Sequence, residues 1–134
     1  LEFNTLVGKL TSTFEWEAIV LGLTGGIEPH FGKNVWVSSG QLHMWYPRQE
    51  APVTDWEERI DELFSLGVKE LKEEKRRKYY DEFQLIVSEQ LPLIYTVLGA
   101  RMSAVRNKFE NLSPTNYGGV FHNLEEIYIK DKYR

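Results

Sequence analysis

The spacing of hydrophobic residues changes near the N-terminus, from a helical period to a strand-like alternation. Residues 1–13 place apolar side chains at the spacing of one helical face, which predicts a short amphipathic helix. In residues 14–23, Phe14 and Trp16 fall on one side of an extended chain, and Glu15 and Glu17 on the other. Because both sides become apolar after Glu17, we expect a strand that is buried more deeply toward its C-terminal end.

A glycine-rich loop follows the predicted strand. Thr24, Gly25 and Gly26 cannot continue a good strand, and the two glycines let a ligand or another backbone come close because they carry no Cβ. A strand that opens into such a loop is a common binding edge of an α/β sheet. We therefore expect an α/β fold class with a binding edge at this loop.

Residues 30–47 combine aromatic, histidine, glycine and serine residues without a sustained hydrophobic period. This composition predicts a long ordered loop, and loops of this length within a compact domain tend to be functional. The alternative is that Trp36, Trp45 and Tyr46 only cover the edge of the sheet.

Two amphipathic helices are predicted in the middle of the chain. Thr54 and Glu57 have the spacing of a capping box, which predicts a helix from about Asp55 to Leu66 that ends at Gly67. Residues 71–91 again show a helical hydrophobic period, and the proline at position 92 ends this second helix.

Strands are predicted after the helices. Leu93–Leu98 is rich in β-branched and aromatic residues, and Met102–Val105 is expected to continue this strand or to pair with it. In the tail, Ile127 and Ile129 are predicted to face the same way in a short strand.

Composition limits the possible functions. The chain has 134 residues, 42% of them hydrophobic and 27% charged, so we expect one folded domain. The net charge of −4 argues against a nucleic-acid partner, and the basic run Lys75–Lys78 is flanked by acids that favour a solvated helix face. The absence of cysteine excludes disulfides and thiolate metal sites.

No pattern indicates a reaction. His30, His43 and His122 stand singly, without the spacing of metal ligands. The two serines at positions 38 and 39 lack the nucleophile elbow, and the glycines after the first strand lack the P-loop lysine. We therefore expect no catalytic residue, no metal and no cofactor.

Four stretches together carry a family resemblance: FEWEAIVLGLTGGIEP, WVSSGQLHMW, TDWEERIDELF and KRRKYYDEFQLIVSEQLPLIYTVLGARMSAVRN. In this order they resemble the C-terminal part of the bacterial extracellular solute-binding proteins of family 5. These are the oligopeptide-, dipeptide- and nickel-binding subunits of ABC importers. The most specific portion runs from Tyr80 to Gln84 and on to Pro92 and Tyr95, where the family has a helix followed by a proline-initiated strand.

The resemblance implies that the chain is a fragment of a two-lobed periplasmic binding protein of type II. Residues 1–92 would belong to the second lobe, and residues 93–134 would form the hinge strand and the segment that returns to the first lobe. We therefore expect exposed apolar surface around Val97, Leu98 and Ile127, and self-association that covers it.

The resemblance also implies a ligand site between the lobes. In peptide-binding members a Gly-Trp pair ends the first strand, and a following Asp holds the peptide amine. Here Gly22 and Leu23 occupy the pair, Thr24, Gly25 and Gly26 stand where the acid is expected, and the nearest carboxylate is Glu28. This difference favours a neutral ligand such as an oligosaccharide, or a peptide whose amine is held by Glu28. The expected ligand contacts are Gly22, Leu23, Thr24, Gly25, Gly26, Glu28, Trp36, Ser39 and Trp45.

The resemblance thus predicts a substrate-binding component of an ABC importer, not an enzyme. Its partners would be a peptide or oligosaccharide ligand and a membrane permease, and its location periplasmic or extracellular, with or without a lipid anchor. The alternatives are a sensor or chaperone-type binding module and a hydrolase acting on peptides or glycans, which would need a spaced pair of carboxylates.

Overall fold

The computed structural model describes residues 1–23, 25–100 and 102–133, which form two units, Leu1–Ile94 and Tyr95–Arg134. The α-helices of the first unit are α1 (Phe3–Gly8), α2 (Lys33–Trp36), α3 (Asp55–Lys69) and α4 (Glu73–Gln90). The strands of the second unit are β1 (Phe109–Glu110) and β2 (Tyr128–Ile129). Shorter helical turns lie at Lys9–Thr13, Pro29–Gly32, Leu124–Glu126 and Asp131–Tyr133.

The predicted N-terminal helix is confirmed. The Glu2 carboxylate caps α1 by accepting hydrogen bonds from the backbone N–H groups of Asn4 and Thr5, both at 3.2 Å. The helix continues as a π-helical stretch and ends at Phe14, whose φ of 57° lies in the left-handed region. The chain is then extended from residue 15 onward, without regular secondary structure.

The predicted helix after Thr54 is confirmed, with its capping box. Thr54 Oγ1 accepts a hydrogen bond from Glu57 N at 3.3 Å, and the Glu57 carboxylate accepts one from Thr54 N at 3.1 Å. The predicted second helix is confirmed as α4. The C-terminal end of α3 differs from the prediction, because the helix continues past Gly67 to Lys69.

Helices α3 and α4 form the core of the first unit. Ile60 and Phe64 of α3 are almost fully buried, and Tyr80 and Val87 of α4 pack in the same cluster. The Phe64 ring meets the rings of Tyr80 and Phe83 edge-to-face, with centroids 5.6 and 5.1 Å away. The apolar faces predicted from the helical spacing of hydrophobic residues are therefore the faces through which α3 and α4 pack against each other.

A charged contact joins the same two helices at the surface. Arg59 of α3 donates from Nε to Glu82 Oε1 at 2.7 Å and from Nη2 to Glu82 Oε2 at 2.9 Å. The hydrogen bonds from Arg59 lower the pKa of Glu82, although partial burial opposes this effect. Since both side chains are more than a third exposed, the pair orients the helices more than it stabilises them.

Gly67 allows α3 and α4 to approach closely. A Cβ at this position would lie 2.7 Å from Tyr80 Cζ and 2.8 Å from its hydroxyl oxygen. Tyr80 is one of the largest buried side chains of α4 and is only 5% exposed. Gly67 is therefore needed for the packing of α3 against α4, and it does not mark the end of α3.

We expect Gly67→Ala to destabilise the first unit by about 1–3 kcal/mol, because the added methyl group displaces the Tyr80 ring. On an exposed helical surface the same change stabilises by about 1 kcal/mol. Urea unfolding followed by circular dichroism measures the difference. The double variant Gly67→Ala/Tyr80→Leu removes the ring and should recover part of the loss, and an unchanged or raised stability of the single variant would contradict the packing argument.

The second unit contains a short antiparallel ladder in which Phe109 pairs with Ile129. Nearby, the buried Asn123 donates from Nδ2 to the carbonyl oxygen of Asn111 at 2.8 Å, which ties the two ends of the intervening loop. The predicted tail strand is confirmed as β2, although it begins at Tyr128 and not at Ile127.

The predicted α/β fold class is wrong. The described part of the chain is mostly helical, and its only sheet is the two-stranded ladder β1–β2. The chain therefore does not show the α/β architecture of a two-lobed type II binding protein. The predicted strands at residues 14–23, Leu93–Leu98 and Met102–Val105 have no regular secondary structure in the residues described.

The physical reason is that a strand needs a neighbour to pair its backbone groups. Alternation indicates which side chains can be buried, but it does not supply that neighbour. Val97 and Leu98 are 91% and 100% exposed, which agrees with the apolar surface predicted there. Ile127 was predicted to belong to the same exposed surface, but it is half-buried.

Candidate functional site

Two stretches that are distant in sequence meet at an aromatic cleft. It is lined by Phe14 and Trp16 from the start of the extended segment and by Met44, Trp45 and Pro47 from the loop after α2. The cleft has a volume of about 360 Å³, and each of the five side chains is only half-buried. Part of each apolar surface therefore remains accessible to a ligand.

A second cleft shares Phe14 and Trp16 with the aromatic cleft. It has a volume of about 830 Å³ and is lined by residues 14–20 together with Leu1, Leu6 and Lys9. Within the described chain, residues 16–23 form no backbone hydrogen bond, so their N–H and C=O groups are free to bind another molecule. The two clefts thus combine aromatic surfaces with unpaired backbone groups.

Contacts behind the ring hold Trp45 in one orientation. Its indole Nε1 donates to Glu57 Oε1 at 3.1 Å. The His43 ring lies against it with centroids 3.9 Å apart, and the rings of Trp36 and Trp56 lie at 5.8 and 6.2 Å. Because the ring is already fixed, binding a ligand against it costs little side-chain entropy.

Glu57 is the residue that organises this loop. Its carboxylate also accepts hydrogen bonds from Gln49 Nε2 and from the backbone N–H groups of Val53 and Thr54, at 3.1–3.2 Å. Burial raises the pKa of the Glu57 carboxyl, but the hydrogen bonds from Trp45, Val53, Gln49 and Thr54 together outweigh it and lower that pKa to about 2. The carboxylate is therefore charged and fully engaged at neutral pH.

His43 approaches the same carboxylate oxygen as Trp45. Its Nε2 is 3.6 Å from Glu57 Oε1, and its Nδ1 is 3.2 Å from the carbonyl oxygen of Val35. The imidazole is 1% exposed, so it serves to fix the loop and cannot contact a ligand directly.

Phe14 is held by a contact from the opposite end of the loop. The Arg48 guanidinium lies 4.6 Å from the centre of the Phe14 ring, and Arg48 Nη2 donates to the carbonyl oxygen of Ser12 at 3.3 Å. These contacts connect the loop to the chain just after α1. They explain why Phe14 and Trp45 line the same cleft.

Glu28 forms an ion pair with Arg76 of α4 and accepts a hydrogen bond from His30 N at 3.2 Å. The hydrogen bond from Arg76 is the main cause that lowers the pKa of Glu28, and burial opposes it. A ligand amine would therefore compete with Arg76 for this carboxylate. The role of Glu28 as a charge partner for a ligand stays a prediction.

Of the three ligand contacts predicted in the loop, which are Trp36, Ser39 and Trp45, the structure brings two together. Trp36 and Trp45 pack against each other, and Trp45 lines the aromatic cleft whereas Trp36 does not. Ser39 is exposed, and the buried serine is Ser38, whose backbone N–H donates to Asp61 Oδ1 at 2.8 Å.

The predicted glycine contacts lie apart from both clefts. Residues 22–23 and Gly25 are exposed, and no atom lies within 4 Å of the position of a Cβ at Gly25. At Gly26 a Cβ would meet the Phe31 ring at 2.7 Å, and this ring is 78% exposed, so it has room to move aside. Thr24 lies outside the described residues.

The sequence pattern did not indicate Phe14, Trp16, Met44 and Pro47 as cleft residues. Phe14 and Trp16 were predicted to share one side of an extended chain, and two aromatic rings at that spacing are the signal that could have identified them. Met44 and Pro47 carry no such signal, because only their neighbour Trp45 has a side chain typical of binding sites.

No group of three or more His, Cys, Asp or Glu side chains suited to a metal ion occurs in residues 1–23, 25–100 and 102–133. Over the same ranges, no helix is both long and apolar enough to cross a membrane. Comparisons of the chain with protein-family models, curated proteins and solved structures gave no match.

Proposed function

We propose that this chain is the ligand-binding component of an ABC importer and that it binds an oligopeptide or a similar small solute such as an oligosaccharide. The aromatic cleft is the observation that supports ligand binding. The family resemblance supports the association with transport, and with it a membrane permease as partner and a site of action outside the cytoplasmic membrane.

The chemistry of the cleft suits these ligands. Indole and phenyl faces bind the apolar faces of sugar rings and the side chains of peptides. The free N–H and C=O groups of residues 16–20, in the adjoining cleft, can bind peptide groups or hydroxyls. Phe14, Trp16 and Trp45 would therefore supply apolar contact area, and the backbone would supply polar contacts.

The cleft also favours binding over a reaction. None of its five lining side chains is an acid, a base or a nucleophile. The carboxylate that holds Trp45 belongs to Glu57, which is 2% exposed and engaged in hydrogen bonds. A hydrolase acting on peptides or glycans would need a spaced pair of accessible carboxylates beside its ligand, and Glu15 and Glu17, which line the adjoining cleft, are the pair that could serve there.

We expect Trp16→Ala to weaken ligand binding about tenfold or more, because it removes a large part of the accessible aromatic surface. Calorimetry with short peptides of mixed sequence, and separately with short linear glucose oligosaccharides, measures the affinity. Quenching of tryptophan fluorescence gives an independent signal.

Leu85→Ala is the matched control, since Leu85 is 64% exposed on α4 and lines neither cleft. It should leave the affinity unchanged. The proposal is wrong if neither probe binds, or if Trp16→Ala binds as tightly as the unsubstituted chain. Recovery of a cleaved probe after incubation would favour the hydrolase instead.

A further inference from the structure

Two extended segments have unpaired backbone groups. We call residues 15–21 the acidic segment and residues 102–108 the basic segment. Within the described chain, residues 16–21 and 102–105 form no backbone hydrogen bond. The basic segment ends in a turn, in which Phe109 N donates to the carbonyl oxygen of Arg106 at 3.2 Å.

Both segments expose large apolar side chains. Val20 in the acidic segment is 86% exposed, and Met102 in the basic segment is 90% exposed. An extended chain with free backbone groups and exposed apolar side chains is a ready template for pairing with another strand. Neither segment carries a proline that would block such pairing.

The charges of the two segments are complementary. Glu15 and Glu17 lie two positions apart, and so do Arg106 and Lys108. Among the described residues, neither Glu17 nor Arg106 has an ion-pair partner, while Glu15 makes only a long contact of 4.0 Å with Lys9. In the part of the chain that the structure describes, the acidic segment therefore presents Glu17, and the basic segment Arg106, without an ion-pair partner.

One antiparallel register satisfies the charges and the apolar positions together. With Glu17 opposite Arg106, the apolar pairs are Ala18 with Val105, Ile19 with Ala104 and Leu21 with Met102. Glu15 and Lys108 then lie at the same end of the pairing. A shift by one residue would place Glu17 opposite Val105 and lose the charge pair, so the charges select this register.

We propose that the acidic segment of one copy of this chain pairs as an antiparallel strand with the basic segment of a second copy. Each copy has both segments, so a second copy offers a partner segment for each of them. The pairing satisfies backbone groups that are free in the described chain and removes apolar side chains from water. The pairing occupies the backbone groups of residues 16–20 that the proposed ligand would bind, so dimerisation and ligand binding compete for them.

Mixing two charge-reversal variants tests the pairing. Glu17→Lys and Arg106→Glu each place like charges opposite each other, and we expect each variant alone to dimerise about tenfold more weakly. When the two variants are mixed, the introduced lysine faces the introduced glutamate, and the unchanged Arg106 of one copy faces the unchanged Glu17 of the other. Analytical ultracentrifugation should then show a heterodimer as tight as the unsubstituted dimer.

Glu74→Lys and Lys78→Glu are matched controls, because they reverse exposed charges on α4 outside both segments. They should leave the dimer unchanged. Hydrogen exchange should show protection of amides in residues 17–21 and 102–106 as the protein concentration rises. An unsubstituted chain that stays monomeric at high micromolar concentration, a mixture that fails to restore the dimer, or controls as disruptive as the variants would each overturn the proposal.

Discussion

Replacing Glu57 by alanine is expected to lower the free energy of unfolding by about 3–5 kcal/mol. The carboxylate is 2% exposed and accepts hydrogen bonds from Trp45, Gln49, Val53 and Thr54. Without it the buried Gln49 loses its acceptor, Trp45, Val53 and Thr54 lose theirs at half-buried or exposed positions, and the N-terminal cap of α3 loses half of its capping box. Urea unfolding followed by circular dichroism measures the loss.

Glu58→Ala is the matched control for this experiment. Glu58 is the next residue of α3, is exposed and has the same side chain, so its replacement should change stability by less than about 0.5 kcal/mol. Equal effects of the two substitutions would show that the hydrogen bonds of Glu57 do not organise the loop. In Glu57→Ala we also expect altered tryptophan fluorescence, since Trp45 loses the acceptor of its indole N–H.

Stability is also expected to fall by about 3 kcal/mol as the pH drops from about 4.5 toward 2. The pKa of Glu57 is lowered in the folded chain to about 2 from its ordinary value of 4.5. A group whose pKa is lowered on folding stabilises the folded state above its ordinary pKa, and this contribution is lost as the pH falls through the lower value. Unfolding measured across this pH range tests the expectation.

Glu57→Gln isolates the contribution of this one carboxyl group. Glu28 and Glu82 also have lowered pKa values because of their hydrogen bonds to arginine, so part of the acid dependence remains in this variant. The difference between the two pH profiles belongs to Glu57. Parallel profiles for the variant and the unsubstituted chain would contradict the assignment.

The sequence predicted those parts of the fold that depend on local interactions. Thr54 and Glu57 lie within one turn of each other, so the capping box could be recognised from spacing alone. Gly67 was misinterpreted as a helix end because its role depends on Tyr80, which belongs to another helix. No pattern within α3 itself carries that information.

The predicted strands failed for a related reason. Residues 14–23 have the composition of a buried strand, but the stability of a strand depends on a partner that no local pattern specifies. In the structure Phe14 and Trp16 are half-buried, as one side of a strand would be, and after Glu17 the half-buried positions change to Ile19 and Leu21. Alternation therefore identified side chains that prefer burial, not a strand.

The candidate site was predicted only in part, because its residues come from distant positions. Trp36 and Trp45 were expected as ligand contacts, and they do pack together. The contribution of Phe14 depends on the contact from Arg48, which joins positions more than thirty residues apart. Such a contact becomes visible only when the loop and the helix before it are seen together.

The short connection between α3 and α4 has a consequence for how the chain folds. Only residues 70–72 separate the two helices, so Phe64 and Tyr80 meet after closure of a very short loop. Closing a short loop costs little chain entropy, and folding rates rise as contacts become more local. We therefore expect the helical hairpin to form early in the folding of the first unit.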